Sequence, residues 1–287
     1  MKSVLPVLTV LSAIVLLWYL AAVWMNASWS YDQAARAGVE ISFGEVLADT
    51  MAQDRPVLPA PHQVLAGLWD GFFGQSFTSK RSLVYHGWVT LSATMVGFVI
   101  GTLGGILLAV GIVHNRAMDM SVMPWAIASQ TIPILAIAPM VIVVLASLGV
   151  TGLLPKAVIS AYLSFFPVVV GMVKGLRSPD RMQLDQLRTY NASRWQSFWA
   201  LRLPASVPFL FTSLKVSIAA SLVGAIVGEL PAGASAGLGA RLLSGSYYGQ
   251  TVQIWSALFA AALLAAGLVM VIGLIERRTL LRMGMVR

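Results

Sequence analysis

Residues 185–204 read Asp185-Gln-Leu-Arg-Thr-Tyr-Asn-Ala-Ser-Arg-Trp-Gln-Ser-Phe-Trp-Ala-Leu-Arg-Leu-Pro204, a basic, helix-forming island between two apolar runs. Capping chemistry divides it into two short helices. Ser178 as N-cap and Pro179 at the first helical position predict where the first begins, since a proline there loses no hydrogen bond. Asn191 predicts its end, because asparagine tolerates the left-handed conformation that closes a helix. Ser193 and Gln196 have capping-box spacing and restart the chain as a helix. Leu203-Pro204 is expected to end the second helix, with Pro208 in the first turn of the next.

The sequence around this island is that of a membrane protein. It is 58% hydrophobic and only 10% charged, with a mean hydropathy of +0.81, well outside the range of soluble domains. With no cysteine, disulfides and thiolate metal sites are excluded. A net charge of +8 would suggest nucleic acid in a soluble protein. Here the cations gather between apolar runs, as expected for a cytoplasmic membrane face, and no nucleic-acid partner is expected.

Residues 4–25 are an uncharged run of bilayer length. Lys2 precedes it in signal-peptide fashion, but the run exceeds a signal core of roughly 7–15 residues. Residues 1–27 are therefore expected to be a retained first transmembrane helix. Residues 28–81 carry Asp32, Glu40, Glu45, Asp49, Asp54 and Asp70, and Pro56, Pro59 and Pro61 interrupt them. They are expected to lie outside the membrane, on the periplasmic side, partly extended and with an amphipathic helix over residues 64–73. Residues 82–287 are expected to hold five further spans and a cytoplasmic loop at 174–203, for about six transmembrane helices in an all-α membrane protein.

Within that region Gly97, Gly101 and Gly105 share one helix face, where another helix can approach closely. The segment 120–155 is too long for one crossing, and residues 149–152 read as the turn before the next. Pro124, Pro133 and Pro139 free backbone carbonyls that lipid cannot satisfy, so this helix belongs in the protein interior. Gln130 and Ser164 are either pathway-facing or interhelical hydrogen-bonding groups. Lys215 falls about ten residues into its helix, where it snorkels, pairs or contacts a solute. Glu229 is expected near the outer boundary as a gate or docking residue. With the N-terminus inside, Arg116, the loop cations, Arg277, Arg278, Arg282 and Arg287 join Lys2 on the inner side. Arg36, Arg55, Lys80, Arg81 and Arg241 are expected outside, with Lys156 at a boundary. That excess places both termini in the cytoplasm.

The island resembles the loop that permeases of ATP-binding-cassette (ABC) importers offer to their ATPases. The family pattern is Glu-Ala-Ala, three residues, Gly, nine residues, a branched apolar residue, any residue, then Leu-Pro. Asp185 fills the acidic position, Asn191 the glycine position, and Leu201, Leu203 and Pro204 the end. Asp replaces Glu, Gln186-Leu187 replace Ala-Ala, and Asn replaces Gly. Leu58-Pro-Ala-Pro-His-Gln-Val64, Ala161-Tyr-Leu-Ser-Phe-Phe-Pro167 and the Gly-Leu-Gly within residues 233–239 resemble further elements of the nitrate, sulfonate and taurine branch. The resemblance covers residues 58 to 287. It implies a type I importer permease core at a bacterial inner membrane, paired with a second permease copy as a homodimer, two ATPase subunits and a periplasmic binding protein. It also implies a non-catalytic chain, with ATP and Mg on the ATPase. Leu184, Leu187 and Tyr190 would form the apolar seat, Asp185, Arg188 and Arg194 the polar contacts, and Asn191, Ser193 and Pro204 the frame. Gln130, Pro133, Ser164, Lys215 and Glu229 would be pathway or gate residues. Sulfonates, nitrate-like anions and pyrimidine vitamin precursors all fit as solutes.

The chain contains no G-x-x-x-x-G-K-[ST], so it has no ATP site of that kind. His62, His86 and His114 are scattered, without an H-E-x-x-H. An ion-coupled carrier would show several buried acids, and a non-transporting scaffold would need no proline-broken central helix.

Overall fold

The computed structural model describes residues 4–231 and 235–285. Lys2, Arg287, and Gly233 and Ala234 of the Gly-Leu-Gly stretch lie outside the described residues. Among those described, every regular element is a helix: α1 (Val4–Ala37), α2 (Phe43–Ala52), α3 (Pro61–Trp69) with a π-helical turn at Asp70–Gly74, α4 (Leu83–His114), α5 (Arg116–Ser129), α6 (Ile134–Ser147), α7 (Leu153–Leu176), α8 (Arg181–Thr189), α9 (Arg194–Ser197) with a π-helical turn at Phe198–Arg202, α10 (Leu203–Gly228), α11 (Leu238–Tyr247) and α12 (Thr251–Arg282). Five helical stretches are long and apolar enough to cross a membrane, and the α5–α6 pair makes a sixth if its two bent halves form one span. The chain is an all-α membrane protein.

Two compact units emerge, one built from the residues up to His86 together with Ala240–Ala261, the other from Gly87–Gly239 and the residues from Ala262 on. In the first, α1 runs to Ala37 instead of stopping near residue 27, and residues 43–52 are helical where an extended chain was expected. Polar residues end the bilayer-length run without ending the helix. Asn26 and Ser30, one turn apart on the same face, turn toward α2 and its C-terminal side. The buried Asn26 side chain donates to Leu58 O (2.9 Å) and accepts from Val57 N (2.8 Å) and Leu58 N (3.2 Å). Ser30 donates to Asp49 (2.6 Å), and Gln53 donates to Ser30 Oγ (3.1 Å). The Trp18 indole donates to Pro59 O at 3.0 Å and packs on Trp255. The expected amphipathic helix appears as α3 and its π-helical turn.

In the second unit, the glycine stripe of α4 lies against α7. A Cβ on Gly97 would stand 2.7 Å from Ala157 O, one on Gly101 2.1 Å from Ser164 Oγ and 2.9 Å from Ala161 O, and one on Gly105 2.8 Å from Phe165 O. Helix α10 meets α7 in the same way, with Gly224 over the backbone of Ile159 and Ser160. Buried hydroxyls seal the contacts. Ser160 donates to Ser221 O (2.7 Å), Ser221 to Thr94 O (2.8 Å), and Ser217 to Ser164 O. Such groups need partners wherever water is excluded. Nearer the α8 end the core is apolar, with Ile112, Val168, Val169, Met172, Leu176 and Phe198 all buried.

The proline-rich crossing is not one helix. Residues 130–133 break it, and α5 and α6 meet at 98°. Pro133, with φ −62° and ψ 120°, serves as the N-cap of α6, where its missing N–H interrupts the helical ladder. The turn expected at 149–152 is present, with Gly149 and Gly152 at φ 78° and 77°.

The α4–α7 contact makes a paired prediction. Gly101→Ala should destabilise by roughly 1–3 kcal/mol, because the added methyl meets backbone that cannot retreat. Gly104, on the same helix with nothing within 4 Å of its Cβ position, should tolerate alanine or gain slightly from helix propensity. Thermal melting of the two variants in detergent separates these outcomes.

Candidate functional site

The segment joining α7 to α10 is exposed and polar, yet ordered at each junction. Helix α7 closes with Ser178, whose N–H and hydroxyl both donate to Gly175 O (3.1 and 2.7 Å). Ser178 is thereby spent on the preceding helix. Helix α8 begins at Arg181 with Asp180 as N-cap, not at Ser178-Pro179 as the sequence suggested. The Gln183 side chain accepts from Asp180 N–H at 3.1 Å, the reciprocal half of a capping box.

The break after α8 is as expected. Asn191 has φ 57° and is the sole non-glycine residue with positive φ among the described residues. Ala192 N–H donates to Leu187 O (3.0 Å) and Asn191 N–H to Arg188 O (2.9 Å), the two bonds of a Schellman closure. Ser193 and Gln196 then bond reciprocally at 2.8 and 3.2 Å and start α9.

Leu203-Pro204 does not end this helix. The chain widens into a π-helical turn in which Leu203 N–H reaches Phe198 O, and Pro204 falls in the first turn of α10. The wider turn relieves the clash between the proline ring and the carbonyl four residues back. Pro208 lies inside α10, so residues 194–228 form one continuous helical rod. Two anchors hold its base. Phe198 is buried in the core, and Arg202 Nη1 donates to Leu176 O at 3.1 Å.

On the surface of this segment, Arg188 pairs with Asp185 at 2.8 Å, both largely exposed. Tyr190 is 75% exposed, and Arg194 is exposed as well. Leu184 and Leu187 are half-buried. Sequence reading missed Met182, Trp195 and Trp199, which are 79%, 68% and 52% exposed. Trp195 and Trp199 pack edge to face with centroids 5.5 Å apart. Large apolar side chains are thus held open on a capped frame. Beside them, Val113, His114, Leu184, Arg188, Ala192 and Arg194 line a cleft of about 420 Å³.

The other candidates are dispersed. Gln130 caps α5 beside Ser129 Oγ (3.3 Å), and Pro133 is exposed at the bend. Ser164, on α7, is wholly buried against α4. Lys215 forms an ion pair with Glu276. Glu229 was expected as a boundary gate or docking residue, but it is wholly buried and offers no docking surface. Thr90 donates to it at 2.9–3.0 Å and Gly239 N–H at 3.0 Å. At φ 124°, Gly237 leaves room for the carboxylate where any Cβ would collide with it.

The family described as "Binding-protein-dependent transport system inner membrane component" matches residues 101–283. The riboflavin transport system permease protein RibX of Chloroflexus aurantiacus is 31% identical over 221 residues, which cover 77% of this chain and 78% of that protein. The formylaminopyrimidine transport permease protein ThiX of Halalkalibacterium halodurans is 31% identical over 162 residues, 56% of this chain and 60% of that protein. The nitrate import permease protein NrtB of Synechocystis is 27% identical over 166 residues, covering 56% and 58%.

The left-handed turn at Asn191 is testable. Asn191→Val should cost the segment about 1–2 kcal/mol, the penalty of a left-handed β-branched residue, while Asn191→Gly should cost nothing. Limited trypsinolysis reads this as faster cleavage at Arg188 and Arg194 in the valine variant alone.

Proposed function

We propose, from the premise that this chain belongs to the binding-protein-dependent transport system inner membrane components, the permeases of ABC importers, that residues 178–204 are its seat for a partner ATPase. The supporting observation is the pair of capped helices that hold Met182, Tyr190, Trp195 and Trp199 open around the Asn191 turn. Leu184 and Leu187 brace the first helix from within, while Asp185, Arg188 and Arg194 supply the polar rim.

On this reading the chain is non-catalytic, and ATP and Mg2+ bind the partner. Two copies assemble as a homodimer around one pathway and receive solute from a periplasmic binding protein. Both termini are read as cytoplasmic and residues 28–81 as periplasmic, a reading that the cation distribution supports. Closure of two ATPases draws two such loops together. Because residues 194–228 are one rod, displacement of α9 passes directly into α10, with Arg202 and Phe198 as its fulcrum. The pathway then alternates between its two faces. The solute is small: a sulfonate, a nitrate-like anion or a pyrimidine of the vitamin-precursor type.

An exposed i,i+3 pair such as Asp185–Arg188 contributes only a few tenths of a kcal/mol to its helix. Its removal therefore reports on docking, not folding. With the permease and its ATPase co-expressed, Arg188→Glu and Trp195→Ala should each weaken the complex by about 2 kcal/mol, roughly 30-fold, with the permease still folded. Co-purification and ATPase activity measure this, and full coupled activity in both variants would sink the assignment.

A further inference from the structure

The cleft of about 420 Å³ beside the exposed tryptophans has a wall that the ATPase seat does not use. Besides Arg188 and Arg194 it is lined by His114, Ser197 and Arg202, and no carboxylate lies in the lining. Asp185 matches Arg188 from outside the cleft at 2.8 Å. Arg194 and Arg202 form no ion pair among the described residues. Arg202 is half-buried and bonds a backbone carbonyl, Leu176 O, at 3.1 Å. That bond takes one of its five N–H donors and none of its charge. A guanidinium drawn away from water without an anion is costly, so the cleft holds two charges that the described residues do not balance. It also lies where two apolar spans end. Helix α4 stops at His114, and α10 begins at Leu203, next to Arg202. Leu103, Leu107, Val110 and His114 recur at helical spacing on one face of α4. Leu103 and Leu107 are 58% and 72% exposed. An apolar ridge therefore leads from the cleft into the span, with the cations at its polar end.

We propose that this cleft binds a phosphate ester, the headgroup of an anionic phospholipid whose acyl chain lies along Leu103 and Leu107. Guanidinium groups match phosphate oxygens in shape as well as charge, and basic pockets at the ends of spanning helices are suited to anionic headgroups. A soluble phosphate would use the cations but not the ridge. A zwitterionic lipid would use the ridge but leave the cations unbalanced. Bound lipid would touch α4, α8 and α9 together and so tie the segment after α7 to the bilayer. The inference goes beyond the ATPase seat and needs no ATPase to be present.

The test uses the full chain in a neutral detergent, titrated with phosphatidylglycerol, phosphatidylcholine or inorganic phosphate and read by native mass spectrometry and thermal melting. Retention of phosphatidylglycerol with a raised Tm is expected, and neither effect from the other two at equal concentration. Arg194→Gln combined with Arg202→Gln, which keeps a donor for Leu176 O, should weaken phosphatidylglycerol binding about 30-fold. Ser197→Glu places a carboxylate in the cleft while sparing both arginines, so a loss there does not depend on the Arg202 anchor. Arg181→Gln removes an exposed cation of the same segment that lies outside the cleft, and it should leave binding unchanged. Equal loss in Arg181→Gln would mean diffuse attraction to a basic face and would overturn the site. So would equal retention of phosphatidylcholine, inorganic phosphate binding as tightly as the lipid, or an affinity indifferent to both cleft variants. Because no ATPase enters the measurement, failure here leaves the importer reading standing.

Discussion

Where Gly101 of α4 meets Ser164 of α7, the position a Cβ would occupy is 2.1 Å from the serine hydroxyl oxygen. Helices that approach this closely bring backbone against backbone, and lipid provides no solvent for whatever they leave unpaired. The α4–α7–α10 core meets this demand with residues too small to separate the helices. Glycines admit the neighbouring backbone, and the hydroxyls of Ser160, Ser217 and Ser221 reach across to its carbonyls. A core built this way is stiff. Sliding one helix along another would break several bonds at once, with no water to replace them.

That stiffness gives the exposed segment after α7 its mechanical meaning. Helix α9 and the π-helical turn after it carry two open tryptophans and run without a break into α10, which is locked to α7 along much of its length. A force on Trp195 or Trp199 therefore reaches the membrane core through a rod, with the buried Phe198 and the Arg202–Leu176 bond at its base. Helix α8 is differently held, by the Asn191 turn and its own caps. At the far end of the same two helices, the Lys156–Glu229 knot ties α4, α7, α10 and the start of α11 together.

What the sequence revealed and what it concealed divide along physical lines. The turn at Asn191 and the restart at Ser193 were legible because capping is local chemistry, set by residues three or four apart. The glycine stripe was legible from its spacing, though not its partner α7. The start of α8 was misplaced because Ser178 suits two local roles, and only the tertiary structure shows its hydroxyl used on Gly175. Pro204 signals a helix end until a π-helical turn is seen to absorb it. The prolongation of α1 to Ala37 was hidden because polarity marks departure from lipid, not from the helix. Met182, Trp195 and Trp199 could not be singled out because exposure is not a property of composition. Lys156 and Glu229 are distant in the chain, and nothing local joins them.

The central claim is that residues 178–204 seat an ATPase, and proximity tests it most directly. The chain has no cysteine, so single-cysteine variants are clean: Met182→Cys and Tyr190→Cys on the proposed seat, with Val39→Cys, 62% exposed between α1 and α2, as a control. In a purified, ATP-hydrolysing complex, a short bifunctional cross-linker should join the first two to the ATPase and leave the third unlinked. Cross-linking from Val39→Cys alone, or from none of the three while the complex remains active, would contradict the account.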